Sequence, residues 1–275
     1  MYILAYRPVK ALILAAFVAL LFVGGSAVAH ADNPNPPTAG AIADFKKTHD
    51  TDPHIPLTSQ QQALLNQKDQ VAHAHFASRS LSVTPDSLYY GRYLPAVQQG
   101  QITSYYCGPA SVSELLNYLN PATTQSDAAY WLNTTTGGTA WSGWDPAPAP
   151  YYTGHPVSDV LNYKRASSWY IPVGLSYYPS PTDVSTYIWR MAFDLDYNYP
   201  LVGNAWEVAW GPHLNGHPIN LQIFHWFTIN GYYVNGNQTD YLDSATTVWS
   251  SVPAYNFYFD SPTLVAILGG RGYVW

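Results

Sequence analysis

Nineteen residues, Gln101–Leu119 (QITSYYCGPASVSELLNYL), constrain this 275-residue chain more than any other stretch. They contain Cys107, its single cysteine. Behind the cysteine, Val112, Leu115, Leu116 and Leu119 recur at helical spacing and form a stripe that must pack against a core. Asn120-Pro121 ends the run, because the residue before a proline is pushed out of helical geometry. Gly108-Pro109 suits the start, where the missing proline N–H costs nothing. The spacing therefore predicts a helix with Cys107 at its N-terminus. Unpaired N–H groups and the helix dipole there favour a thiolate. Gln101, six residues upstream, is a candidate donor to an oxyanion formed beside the sulfur.

Gln101 followed after five residues by Cys107-Gly108-Pro109-Ala110 at a helix start resembles the papain-like cysteine peptidases. It most resembles their bacterial double-glycine (bacteriocin-processing) branch and its secreted relatives. The resemblance implies Cys107 as nucleophile and Gln101 as oxyanion donor. It also implies a small-residue turn after the second helix, matched by Thr134–Thr139.

The N-terminus reads as a secretory signal. Arg7 and Lys10 precede the apolar run Ala11–Val23, and Ala29-His30-Ala31 offers a small-residue cleavage site. The run is short for a membrane span of about 20 residues. The expectation is an exported chain, secreted or wall-associated, that leaves the membrane after cleavage. Its nine remaining basic and seventeen acidic residues give a net charge of −8, which excludes a basic nucleic-acid footprint. Charged residues make up only 10% of the chain and aromatic residues 16%. Most of those rings are expected in strands and core, the remainder on a surface able to stack on sugars or apolar peptides. A lone cysteine forms no internal disulfide, so in an exported chain it is either buried and inert or kept for its reactivity. The helix start and Gln101 favour reactivity.

Three regions follow: residues 1–31 as signal, 32–94 as a linker, propeptide or packed N-terminal arm, and 95–275 as the main domain. Asp32–Gly40 reads as disordered from its proline and asparagine content. A helix is expected from Thr58 or Ser59 to Ser78, and His49, His54, His73 and His75 read as surface residues. Further helices are expected over Thr124–Leu132, Pro156–Lys164 and Thr182–Leu195, with Trp141–Tyr152 as a surface loop. A weak strand is expected within Trp169–Tyr177. After Pro200 the pattern turns to strands: Leu201–Trp210, Phe224–Val234, Thr239–Leu242, Tyr255–Phe259 and Leu264–Leu268. Asn235-Gly236 is the hairpin signal. Helices first and strands later predict an α+β fold, and the resemblance specifies it as papain-like.

A cysteine nucleophile needs a base, and the base needs an orienting group. His225 opens one strand, and Asp243 lies beyond the turn at the end of the next, where a hairpin can return it. Asp240 and Asn230 are the rivals for the third place. The resemblance matches the family histidine and its strand-ending Gly-Tyr pair to His225 and Gly231-Tyr232, and the family aspartate to Asp243. Where the family has proline after that aspartate, this chain has Ser244. His213 and His217 are spaced i, i+4, but Asn215, Gly216 and Pro218 oppose a helix that would align them on a metal. No metal and no cofactor are expected. The expected activity is peptide hydrolysis through Cys107, His225, Asp243 and Gln101 on a peptide or glycopeptide substrate. The alternatives are a wall amidase, endopeptidase or acyl-transferase using the same thiol, and a binding protein on the same scaffold.

Overall fold

The computed structural model describes residues 36–81, 90–120, 122–143 and 153–275. The signal-peptide reading and most of the Trp141–Tyr152 loop fall outside them. The helices are α1 (Ala39–His49), α2 (Ser59–Leu81), α3 (Cys107–Leu119), α4 (Gln125–Trp131), α5 (Pro156–Arg165), α6 (Pro181–Asp196) and α7 (Ser261–Leu268). The strands are β1 (Arg92–Tyr93), β2 (Pro172–Gly174), β3 (Leu201–Glu207), β4 (Ile223–Tyr233), β5 (Gln238–Leu242), β6 (Asn256–Asp260) and β7 (Gly272–Val274). They form one antiparallel sheet in the order β2-β7-β3-β4-β5-β6, with β1 paired to the Gly231–Tyr232 end of β4. The fold is thus a mixture of helices and an antiparallel sheet.

Strand alternation gives the sheet two apolar faces. Val202, Trp226 and Val274 pack with Val112, Leu115 and Leu116 of α3 and with Val157, Val160 and Leu161 of α5. Leu201, Ala205, Phe227, Ile229 and Tyr273 pack with Tyr187, Met191 and Leu195 of α6 and with Leu264 and Leu268 of α7. Each such aliphatic side chain contributes about 1.5–3 kcal/mol by leaving water. Trp226 and Trp275 in these layers, and Trp206 at the end of β3, are buried.

Local signals account for most helix boundaries. Thr124 and Ser180 each accept from the N–H three residues on, while Asp127 and Asp183 reach back, closing two capping boxes. Two expectations are corrected. Leu264–Leu268 is not a strand: Asp260 accepts from the Thr263 N–H and Pro262 sits in the first turn, so the segment is α7. The sheet is completed instead by β7, whose Gly272 lies so close to Val173 that no side chain would fit. The reading of Asp32–Gly40 as disordered fails at its C-terminal end, where Thr38 caps α1 by accepting from the Ala41 N–H.

The segment Ala39–Leu81 is tied down by charge. Lys46 is buried and donates to the Ala266, Ile267 and Gly269 carbonyls at 3.2, 3.3 and 2.7 Å, satisfying the C-terminal end of α7. Burial, reinforced by Arg271, lowers its pKa to about 7. Asp50 accepts from Arg271 at 3.1 Å and from the Tyr177 hydroxyl at 2.9 Å. Asp69 takes a two-point contact from Arg190 at 2.8 and 2.7 Å. Lys68 reaches Asp194 at 3.0 Å between the rings of Trp169 and Trp275. Of the four histidines read as surface residues, His49, His54 and His73 are exposed; His75 is half-buried on Asp196 at 2.8 Å.

Candidate active site

Cys107 is the first residue of α3. Tyr106 provides no side-chain cap, and the Gly108 N–H of the first turn is directed to the sulfur. Gly108 is required by packing: a Cβ there would lie 2.6 Å from Thr139 Cβ. Thr139 in turn bonds Thr134 at 2.7 Å and accepts from the Trp226 indole through its carbonyl at 2.9 Å. The small-residue turn therefore fixes the helix start against the strand that carries His225.

The thiol is 9% exposed. Burial opposes its ionisation and is the largest influence. The hydrogen bond and charge of His225, with the Trp226 and Gly108 N–H groups, together outweigh burial and hold the Cys107 pKa below its ordinary value. The opposite balance applies to the ring. Burial disfavours imidazolium, but the charge and hydrogen bond of Asp243, then those of Cys107, raise His225 well above the usual histidine range. Cysteine and histidine thus favour the thiolate–imidazolium pair.

The His225 Nε2–H donates to Asp243 Oδ1 at 2.8 Å, leaving Nδ1 for the sulfur. The β4–β5 register makes this possible. Leu242 pairs with Thr228, so Asp243 leaves the ladder at the His225 end of β4. Asp243 Oδ1 also accepts from the Ala245 N–H at 2.8 Å. Although burial raises a carboxyl pKa, His225 and His217 hold that of Asp243 far below the carboxylate range. The rivals lie elsewhere: Asp240 accepts from the Tyr258 N–H at 2.7 Å, and Asn230 donates to the Leu94 carbonyl at 3.1 Å.

Gln101 is buried beside the Asp243–Ala245 turn. Its backbone N–H donates to the Ser244 carbonyl at 2.9 Å, and its carbonyl accepts from Thr247 at 2.6 Å. The Ser244 hydroxyl donates to Gln101 Oε1 at 3.1 Å, and Gln101 Nε2 donates to the Thr103 carbonyl at 2.8 Å. Those two bonds orient the amide and leave its second N–H uncommitted. Ser244 therefore has a structural task that its sequence position did not disclose.

Three residues not singled out by spacing as part of the thiol site complete the surroundings. Glu114, seven residues after Cys107 on α3, is 1% exposed, and burial pushes its pKa up to about 8. Its one sequence signal is the i, i+7 spacing that puts it on the Cys107 face of α3, opposite the Val112, Leu115, Leu116 and Leu119 stripe. On the far side of Asp243, His217 Nε2 lies 3.0 Å from Oδ2, in a contact bent away from a straight hydrogen bond. Glu207 Oε2 lies 2.9 Å from His217 Nδ1. The side chains of His217, His225 and Asp243 each bring an atom within 4.8 Å of the others. Every ring nitrogen in that group other than the one facing Cys107 lies within 3.0 Å of a carboxylate oxygen. His213 is turned to the Gly211 and Leu221 carbonyls at 2.9 and 3.0 Å and does not join the cluster.

No family model matches the chain, and no curated protein matches it. Among solved structures it is similar to a crystal structure from Bacillus anthracis named as a C39-like peptidase, at 10% identity and a TM-score of 0.39, covering 67% of this chain and 96% of that one.

Proposed function

We propose that the protein is an exported cysteine peptidase of papain-like fold, with Cys107 as nucleophile, His225 as base, Asp243 as its orienting group and Gln101 as oxyanion donor. The observation that carries the reading is the line Cys107–His225–Asp243: a thiol held below its ordinary pKa by a ring whose other nitrogen is fixed on a buried carboxylate at 2.8 Å.

In this reading the Cys107 thiolate attacks a scissile carbonyl. The carbon–sulfur bond forms as the carbonyl π electrons move onto oxygen. That oxyanion is received by the free N–H of Gln101 and a backbone N–H at the start of α3. His225 gives its Nδ1 proton to the leaving amine as the C–N bond breaks, which leaves a thioester. Water, deprotonated by His225, then releases the acid and restores the thiol. Residues 36–81 act as an integral arm, since Lys46, Asp50, Lys68 and Asp69 all end in partners on the main domain.

A second reading, hydrolysis or transfer on wall glycopeptide by the same thiol, is favoured by one observation. Tyr93, Tyr233, Tyr255, Phe257 and Tyr258 expose their rings around the edge strand β6, a surface suited to stacking on sugars. The two are separated by incubating wild type and Cys107→Ser with a peptide library and with purified wall, then identifying products by mass spectrometry. Cleavage of peptides by wild type alone supports the first reading; release from wall alone supports the second. Equal products from both proteins exclude thiol chemistry.

A further inference from the structure

We infer that the catalytic line does not end at Asp243: His217, fixed by Glu207, is a positioning residue that holds Asp243 from its other side and sets the charge state of Cys107 through it. The inference rests on the thiol chemistry proposed above and adds two residues to it.

Four residues from two strands, the turn after a third strand and one loop converge here. Glu207 ends β3, His225 lies on β4, Asp243 follows β5, and His217 comes from the loop that joins β3 to β4. All four are buried. Asp243 divides its oxygens between two rings, Oδ1 to His225 at 2.8 Å and Oδ2 to His217 at 3.0 Å. Glu207 divides its own between a ring and the backbone, with Oε2 to His217 at 2.9 Å and Oε1 accepting from the Leu214 N–H at 3.0 Å. The two imidazoles meet edge to face at 4.9 Å, and the Trp249 ring packs on His217 at 4.8 Å.

The protonation state follows from this geometry. An ionised carboxylate only accepts hydrogen bonds. His217 presents one ring nitrogen to Asp243 and the other to Glu207, at 3.0 Å or less. Nδ1 is hydrogen-bonded to Glu207, and Nε2 meets Asp243 in an ion-pair contact bent off the hydrogen-bond line, so the state that suits a ring buried between two carboxylates is the imidazolium. In agreement, burial lowers its pKa but Asp243 and Glu207 outweigh burial and raise it. The buried line then alternates in sign: Glu207 negative, His217 positive, Asp243 negative, His225 positive, Cys107 negative.

Among the described residues, few other titratable groups face this line. His213 stands 3.8 Å from Glu207 Oε2. The Tyr241 hydroxyl accepts from the Asn215 N–H at 2.9 Å, and burial, then Asp243, keeps it protonated. Lys46 lies within the field of Glu207, and Glu114 within that of Asp243 and His225. None of them replaces the contact His217 makes with Asp243.

A merely structural lock on the β3–β4 loop would not need charge. Burying an ion pair costs about as much as it returns, and apolar packing of similar volume serves as well. What charge adds is its field. Removing a fixed positive charge makes every neighbouring proton harder to lose, so the pKa values of Asp243, His225 and Cys107 should all rise. At this range the shift is about one pH unit.

The test uses the full chain and reads the thiol directly, without a substrate. The pH dependence of Cys107 alkylation by iodoacetamide is compared between wild type and His217→Gln, which keeps an N–H donor without the charge. The expected result is a midpoint raised by about one unit, with melting showing that the variant is folded. An unshifted midpoint in folded His217→Gln, beside a depressed one in wild type, overturns the inference and leaves the thiol reading intact. A wild-type midpoint at the free-thiol value defeats the thiol reading itself. Should His217→Gln not fold, histidine nitrogen NMR on wild type decides the point. Two protons on His217, unchanged from pH 5 to 8, are expected; a singly protonated ring that titrates in that window overturns the proposal.

Discussion

Glu114→Gln should stabilise the protein at alkaline pH while changing little at acidic pH. Glu114 Oε1 accepts from the Gln99 N–H at 2.8 Å, and Oε2 lies 2.7 Å from the Thr228 hydroxyl. That hydroxyl is also 3.2 Å from the Ser111 carbonyl. One hydroxyl proton cannot serve both acceptors. A protonated Glu114 resolves the conflict: it donates to Thr228, which donates to Ser111. The folded-state pKa of about 8, raised by burial above the ordinary 4.5, states the same preference. Because it is raised, the folded state holds this proton more tightly than the unfolded chain, so stability is full below the unfolded value and falls as pH climbs towards about 8. The loss accumulated over that window is about 4 kcal/mol. Glutamine reproduces the bonds, its Oε1 on Gln99 and its amide on Thr228, and has no proton to lose. Urea unfolding of both proteins from pH 5 to 8 should give stability curves that diverge by several kcal/mol as pH rises, with Glu114→Gln the more stable. Curves that stay parallel would show Glu114 ionised throughout and the buried acid misread.

The other predictions concern the site. Gln101→Ala should lower turnover about 10²–10³-fold, the usual loss for one oxyanion donor, whereas Ser244→Ala, which removes only one neutral bond holding that amide, should cost about fivefold; equal rates in all three proteins would reduce Gln101 to packing. Asp243→Asn should keep part of the activity, because an amide oxygen can still accept from His225, and Asp243→Ala should lose more; the reverse order, with both variants folded, would contradict the orienting role. Gly108→Ala should destabilise the domain by about 1–3 kcal/mol, since the new methyl meets Thr139 and disturbs its hold on the Trp226 indole; an unchanged melting temperature would mean that the turn yields freely.

What the sequence disclosed was local. Caps at Thr124 and Ser180, the stripe on α3 and the cysteine at its start are all written within a few residues of where they act. Helix α7 was misread because Leu264–Leu268 is too short for periodicity to separate helix from strand, and the deciding residues, Asp260 and Pro262, stand before the apolar run. The Asp243–His225 contact was reachable because one hairpin sets it. The Glu207–His217 pair was not, because it depends on how an irregular loop returns, with Gly216 at φ +80° turning the chain between His213 and His217. Spacing drew attention to those two histidines as a pair; the fold sends one to backbone carbonyls and the other to Asp243. Likewise Ser244 carried no signal, since its partner Gln101 is 143 residues away.

The central claim, a thiol activated by His225, is tested most directly by the rate of Cys107 alkylation as a function of pH, followed by mass spectrometry in wild type and in His225→Ala. The hydrogen bond and charge of His225 hold the Cys107 pKa down against burial. Wild type should therefore alkylate with a midpoint well below the free-thiol value of about 8.5, and His225→Ala should move that midpoint to 8.5 or above, because only burial then remains as the dominant influence. A wild-type midpoint near 8.5, or one that His225→Ala leaves in place, would contradict the account.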